Sequence, residues 1–317
     1  MLEGGWSNEK ETTIGRQPGT ASHGEHRVAE LLQYLLSGIT VGAVYALVAL
    51  GFTLIYNASD VVNFAQGEFV MLGGMISFFA WQAGIPLPLA AILAIIATAA
   101  VGVLLNKLAI EPARGAPVAS LIIITIGASI FLRGGAQLVF DKQLHRFPSF
   151  SGDDPIRILG ATILPQSLWV ITGAVAIFLA LWLFFAHTLT GKAVLATANN
   201  RIAASLVGIN PNHMMTLSFA VSAAIGALAG VLVTPITLTS YDLGVAIALK
   251  GFAAAMLGGM GIPAGALAGG LLLGLIEAFT AGYVSSVYKD AVAFVVILAV
   301  LFAMPQGLFG RKAMDRV

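Results

Sequence analysis

Between Leu31 and Ser59 the chain carries no Asp, Glu, Lys or Arg, and long apolar runs recur along the rest of its length. A segment crossing a hydrocarbon core of about 30 Å needs roughly 20 mostly apolar residues whose backbone groups are satisfied internally. Runs of this kind therefore predict transmembrane helices. The expected spans are about Leu31–Ile55, Pro88–Leu105, Val118–Phe140, Leu168–His187, Thr216–Ile236, Gly244–Met260, Pro263–Tyr283 and Ala291–Met304. After the first of these, "NASDVVNFAQGEFVMLGGMISFFAWQ" sets Asp60 and Glu68 where another helix should begin. That segment is expected to start as a broken or re-entrant piece, and whether it counts as a span decides between eight and nine. The fold class is all-α, a polytopic transmembrane helix bundle.

The composition admits little else. The chain is 58% hydrophobic and only 10% charged, whereas an average soluble domain carries about 25% charged residues. A net charge of +1 gives no global field for a polyanion, and the absence of Cys removes disulfides and thiolate chemistry. Residues 1–30 are polar, mixed in charge and without an apolar run, so they read as a disordered tail and not as a signal peptide. The remainder divides into a transmembrane domain over 31–310, with a polar loop over 189–215, and a short tail over 311–317.

Basic residues in short loops set orientation. Lys107 with Arg114, Lys192 with Arg201, and Arg311, Lys312 and Arg316 fall on one side of the expected spans, which is therefore read as cytoplasmic. Nine spans put the N-terminus outside and eight put it inside. Helices in lipid associate through close packing of small residues. Ser222, Gly226 and Gly230 form one such ridge; Gly261, Gly265 and Gly269 form another, with Gly270 and Gly274 beside it. "MLGGM" occurs at Met71–Met75 and again at Met256–Met260, a slight echo of two related halves.

Charge inside a span costs about 2.5–3.5 kcal/mol on insertion scales and marks a functional candidate. Asp60, Glu68, Lys250 and Glu277 qualify, with Arg133 nearer the outer end of its span. Asp60 and Glu68 suit the positive end of a following helix, Asp60 as its cap; alternatively Asn63, Gln66 and Glu68 line a solute path. Lys250 and Glu277 each lie about thirteen residues from the turn at Ile262–Pro263, hence about 20 Å along their helices. An ion pair in the outer third of the bilayer is one reading, and separate access to headgroups or water is the other.

No phosphate-binding G-x-x-x-x-G-K-[ST] loop, H-E-x-x-H or G-x-S-x-G pattern is present, and the five His are scattered. Neither catalysis nor a metal site is expected, so any energy for transport must come from an ion gradient or another polypeptide. The polar stretch "GKAVLATANNRIAASLVGINPN" stands apart. Leu195, Ile202, Leu206 and Ile209 fall on one helical face, with Gly208 and Pro211 as stop signals. A short amphipathic surface helix is expected, serving either as a connector or as a knob for a cytoplasmic partner.

Five segments carry a resemblance: "GITVGAVYALVALGFTLIYNASDVVNFAQGEFVMLGG", "EPARG", "GKAVLATANNRIAASLVGIN", "KGFAAAMLGGMGIPAGALAGGLLLGLIEAF" and "YKDAVAFVVILAVLFAMPQGLFG". In their order and spacing the chain resembles the smaller permease type of branched-chain amino-acid ABC importers. The resemblance implies a second permease subunit, two cytoplasmic ATP-binding subunits that hold ATP and Mg, a periplasmic solute-binding protein, and a place in the bacterial inner membrane. It implies no cofactor on this chain. The polar loop becomes the coupling helix, with Asn200, Arg201, Ala203, Ala204, Leu206 and Gly208 at the ATPase; Asn199 and Asn200 stand where the family pattern has an acidic residue. The solute is then a branched-chain or hydrophobic amino acid, with urea or short amides as the alternative. A self-contained ion-coupled transporter through Asp60, Glu68 or Glu277, and a passive channel, are the competing classes.

Overall fold

The computed structural model describes residues 23–310, and the chain is mostly helical over them. The helices are α1 (His23–Ser59), α2 (Gln66–Gln82), α3 (Leu87–Leu105), α4 (Val118–Val139), α5 (Pro165–His187), α6 (Leu189–Asn199) and α7 (Arg201–Leu206), then α8 (Pro211–Thr237), α9 (Leu243–Gly258), α10 (Pro263–Tyr283) and α11 (Lys289–Ala303). A single π-helical turn, Asn106–Ile110, ends α3. Six helices, α1, α3, α4, α5, α8 and α10, are long and apolar enough to cross a membrane. Helix α9 is apolar but shorter, and α2 and α11 have 17 and 15 residues. Helix α1 starts at His23, inside the stretch expected to be disordered. The remaining tail residues, 1–22, and the tail 311–317 lie outside the described residues.

Burial sorts the helices into a centre and a periphery. The most apolar window of α1 is 89% buried and that of α8 67%, against 11% for α4 and 17% for α5. Helix α1 packs on α10, α8 and α9, while α2 is held between α8, α3 and α9. Leu47, Val48, Leu50 and Phe52 of α1 meet Ile225, Leu232, Leu273 and Ala254 in one continuous core. Meanwhile Ile96, Ile123, Phe131, Leu138 and Trp182 stand exposed. Such a belt is untenable in water and ordinary against lipid or a partner helix. The described chain is thus a multi-pass membrane protein.

The small-residue ridges act where helices touch. Ser222, Gly226 and Gly230 face α2, where a Cβ on Gly230 would overlap the Val70 carbonyl. Gly265 and Gly269 face α9, and Gly270 and Gly274 face α1. Gly261 does not belong to its expected ridge. It lies in the turn before α10 at φ 90°, a left-handed conformation that favours glycine.

The loop between α4 and α5 contains a small antiparallel hairpin that periodicity did not predict, Ile156–Ile158 (β1) with Ala161–Ile163 (β2). Its two linking residues, Leu159 and Gly160, both have positive φ (48° and 88°), as a type I′ turn requires. The same loop is fastened to the end of α8 by paired backbone bonds of 2.8 Å between His145 and Thr239.

Candidate functional site

Three clusters collect the polar and charged side chains that the sequence singles out. The first surrounds the start of α2. The chain leaves α1 at Ser59 and runs without helix to Ala65. Asp60 is exposed, at φ 56°, and does not cap α2. The cap position belongs to Ala65, which has no side-chain bond to offer; Asn63 instead accepts from the Ala65 amide at 3.1 Å. An acid does lie in the first turn of α2, at Glu68.

Gln66 enters the helix core and is fully buried. Its Nε2 donates to the Ser222 carbonyl at 3.3 Å, and its Oε1 lies 2.7 Å from Ser222 Oγ. Ser222 Oγ is also 2.8 Å from the Gly51 carbonyl, so its one proton serves two acceptors and links α1, α2 and α8. Across α2, Ser129 Oγ of α4 donates to Glu68 Oε1 at 2.7 Å, and one turn earlier Thr125 Oγ1 accepts from the Phe64 amide at 3.2 Å. Among the described residues, Asn63 Nδ2 and Glu68 Oε2 are buried without a hydrogen-bond partner. Such atoms cost about 1–3 kcal/mol each and demand an explanation beyond packing. The sequence pointed to Asn63, Gln66 and Glu68 but not to Ser129 or Thr125, whose pairing is set by tertiary contact.

The second cluster joins Lys250 and Glu277. Lys250 Nζ lies 2.6 Å from Glu277 Oε1 and 2.8 Å from Asp290 Oδ1. Lys289 approaches Glu277 at 3.4 Å, and the Tyr45 hydroxyl donates to Glu277 Oε2 at 2.7 Å. Two cations and two carboxylates make the group neutral. Tyr45 and Asp290 were not anticipated. A phenol within the otherwise uncharged first span was the one available signal.

The third is the polar loop. The expected single helix is two, α6 and α7, broken at Asn200, whose backbone is extended (φ −159°, ψ 105°). The Asn200 side chain accepts from the Ala203 amide at 2.9 Å and so caps α7. Asn competes for backbone donors in this way, and it starts a new helix more readily than it continues an old one. Gly208, at φ 87°, ends α7, and Asn210 caps α8 with Pro211 in the first turn. The expected apolar face is divided accordingly. Leu195 lines a cavity with Leu54 and Phe185, whereas Ile202 and Leu206 are 74% and 82% exposed. Ala203 and Gly208 are exposed too, but Ala204 is buried against its own chain and is not part of the outer surface. The Arg201 guanidinium donates to the Ala58 carbonyl, tying α7 to the last turn of α1.

Among the described residues no group of three or more His, Asp or Glu is placed to hold a metal ion. A multi-pass helix bundle with buried polar clusters, and a capped, apolar-tipped loop, suits a membrane transport component. A profile of the family described as branched-chain amino acid transport system / permease component matches residues 34–301, and the chain belongs to that family. It is 36% identical over 306 residues to the high-affinity branched-chain amino acid transport system permease protein LivH of Salmonella typhimurium, covering 90% of this chain and 97% of that one. LivH of Escherichia coli K12 is 35% identical over 303 residues, with the same coverage. BraD of Pseudomonas aeruginosa, of the same description, is 34% identical over 300 residues, covering 90% and 98%. All three relatives are transport-system permease proteins.

Proposed function

We propose that this chain is a permease subunit of an ATP-binding-cassette importer and forms, with a second permease, the path for branched-chain or hydrophobic amino acids. A periplasmic binding protein delivers the solute, and two cytoplasmic ATP-binding subunits carry ATP and Mg. The chain lies in the bacterial inner membrane, with the α6–α7 loop and the C-terminus cytoplasmic. Its transmembrane domain covers residues 31–310 and the coupling loop 189–215. On this reading α2, α9 and α11 complete nine spans with the six longer helices. Asn63, Gln66, Glu68, Lys250 and Glu277 are its intramembrane polar residues, the first three beside the path.

The observation that carries the coupling role is the tip of α7. Ile202, Leu206 and Val207 project apolar side chains at 74%, 82% and 75% exposure, from a helix fixed at both ends by caps. A solvated connector has no use for three such groups, whereas a groove on an ATPase does. Arg201 supports that surface from within, and Asn200 starts it. The Asn at positions 199 and 200 leaves docking to shape and apolar contact, with no salt bridge from those positions.

The test is reconstitution. Liposomes holding this chain, its second permease and the ATP-binding subunits should accumulate leucine when binding protein and ATP are supplied. The chain alone should accumulate nothing. Gradient-driven uptake by the isolated chain would establish the secondary-transporter reading in its place, and ATP-driven uptake of urea or short amides without leucine would change the solute.

A further inference from the structure

A cavity of about 260 Å³, open on one side where Ile126, Ile130 and Leu249 are 43%, 56% and 49% exposed, lies between α4 and α9. Phe64, Ile126, Ile130 and Leu249 supply apolar walls, and Ser129 and Arg133 supply polar ones. Pockets for drug-sized ligands begin near 300 Å³, so this space suits something smaller. Ser129 and Arg133 are four residues apart on α4 and therefore share a face, about 6 Å apart along the axis.

Charge is distributed unevenly along that face. Among the described residues no carboxylate is within ion-pair distance of Arg133. Behind Ser129 stands the Glu68 carboxylate, joined to it by the 2.7 Å bond, 1% exposed, and with Oε2 unpartnered among the described residues. The face thus has a cationic end and an end backed by a carboxylate, with aliphatic side chains alongside. A simple anion would meet Glu68 at one end, and a simple cation would meet Arg133 at the other. A molecule with both charges and an apolar body complements the whole face.

We propose that this cavity is a binding site for a zwitterionic aliphatic amino acid in transit. The Arg133 guanidinium takes its carboxylate, Ser129 with Glu68 behind it takes its ammonium, and Ile126, Ile130 and Leu249 hold its side chain. The proposal rests on the importer reading and adds to it a point of solute recognition within the membrane subunit. Glu68 acts through Ser129 and is a positioning residue.

The test is competition for radiolabelled leucine on the purified complex of this chain, its second permease and its ATP-binding subunits, with no binding protein present. Unlabelled leucine should compete at least tenfold better than leucinamide, which lacks the carboxylate, and than 4-methylpentanoate, which lacks the ammonium. Arg133→Gln should bring leucine down to the level of leucinamide, and Ser129→Ala should narrow the gap to 4-methylpentanoate. Absence of saturable leucine binding, equal competition by the analogues, or wild-type binding in assembled Arg133→Gln would overturn the proposal. The last result would make Arg133 a headgroup anchor only. Should Arg133→Gln fail to assemble, the analogue series on the wild-type complex decides. ATP-driven leucine uptake by the same wild-type complex with its binding protein checks the importer reading separately. Uptake without analogue discrimination removes the site and leaves the importer standing.

Discussion

Lys250 Nζ and Glu277 Oε1 lie 2.6 Å apart on neighbouring helices, and neither is alone with the other. Asp290 is 2.8 Å from the same ammonium, and Lys289 is 3.4 Å from the same carboxylate. Removing one member of a buried pair typically costs about 3–5 kcal/mol, because the other charge is stranded. Lys250→Met should fall near the lower end, about 3 kcal/mol, because Lys289 and Tyr45 still serve Glu277. Lys250→Met combined with Glu277→Gln should recover most of that loss. The exchange K250E with E277K should not, since it sets a carboxylate beside Asp290 and an ammonium beside Lys289. Thermal unfolding of the purified chain in detergent measures all three, and strictly additive losses would contradict the network.

The loop surface divides into an outer and an inner part. Leu206→Asp should leave the amount of chain in the membrane unchanged and weaken ATPase association roughly 30-fold, the ~2 kcal/mol of a hot-spot residue. Ala204→Asp should lower the amount of chain itself, because Ala204 is 3% exposed and packs inward. Membrane abundance and ATPase co-purification separate the two effects. Equal behaviour of the two variants would refute the division.

Two helix glycines should respond to Ala in opposite directions. A Cβ at Gly230 would overlap the Val70 carbonyl, so Gly230→Ala should cost about 1–3 kcal/mol. A Cβ at Gly127 meets nothing within 4 Å, and Gly127→Ala in mid-helix should stabilise by about 0.5–1 kcal/mol. Unfolding midpoints of the isolated chain decide.

Asp141, outside the spans, accepts from the Gln143 amide and lies 2.8 Å from His145 Nε2. The Gln143 bond first, and the His145 bond second, hold its carboxyl below the usual range. A depressed carboxylate contributes order that is fully present above its ordinary value and is lost as pH falls through the folded one. Protection of the 140–164 loop should therefore be flat from about pH 7 to pH 5 and decline only below about pH 4. Limited proteolysis across that range checks it; a decline that begins above about pH 5 would overturn the assignment to Asp141.

The six long apolar helices and the Lys250–Glu277 contact were open to inference from sequence for the same reason. Length and apolarity fix a helix, and a tight turn fixes which depths on its two arms correspond. The break at Asn200 was not, because an Asn in a polar stretch looks alike whether it lies on a solvated face or caps a new helix. Ser129, Tyr45 and Asp290 were equally silent, since each matters only through a side chain brought to it by tertiary packing. The β1–β2 hairpin escaped because three-residue strands show no period. Asp60 misled for a related reason: an acid before a helix reads as its cap, and the chain here spends five further residues, Val61–Ala65, before α2 begins.

The bond from Arg201 to the Ala58 carbonyl has a mechanical consequence. It fastens the short helix α7 to the end of α1, immediately upstream of the uncoiled stretch that leads into Gln66. Any displacement of α7 would reach that stretch through this bond. The linkage from the α6–α7 loop to the buried Gln66 amide is one guanidinium and a few residues of unwound chain.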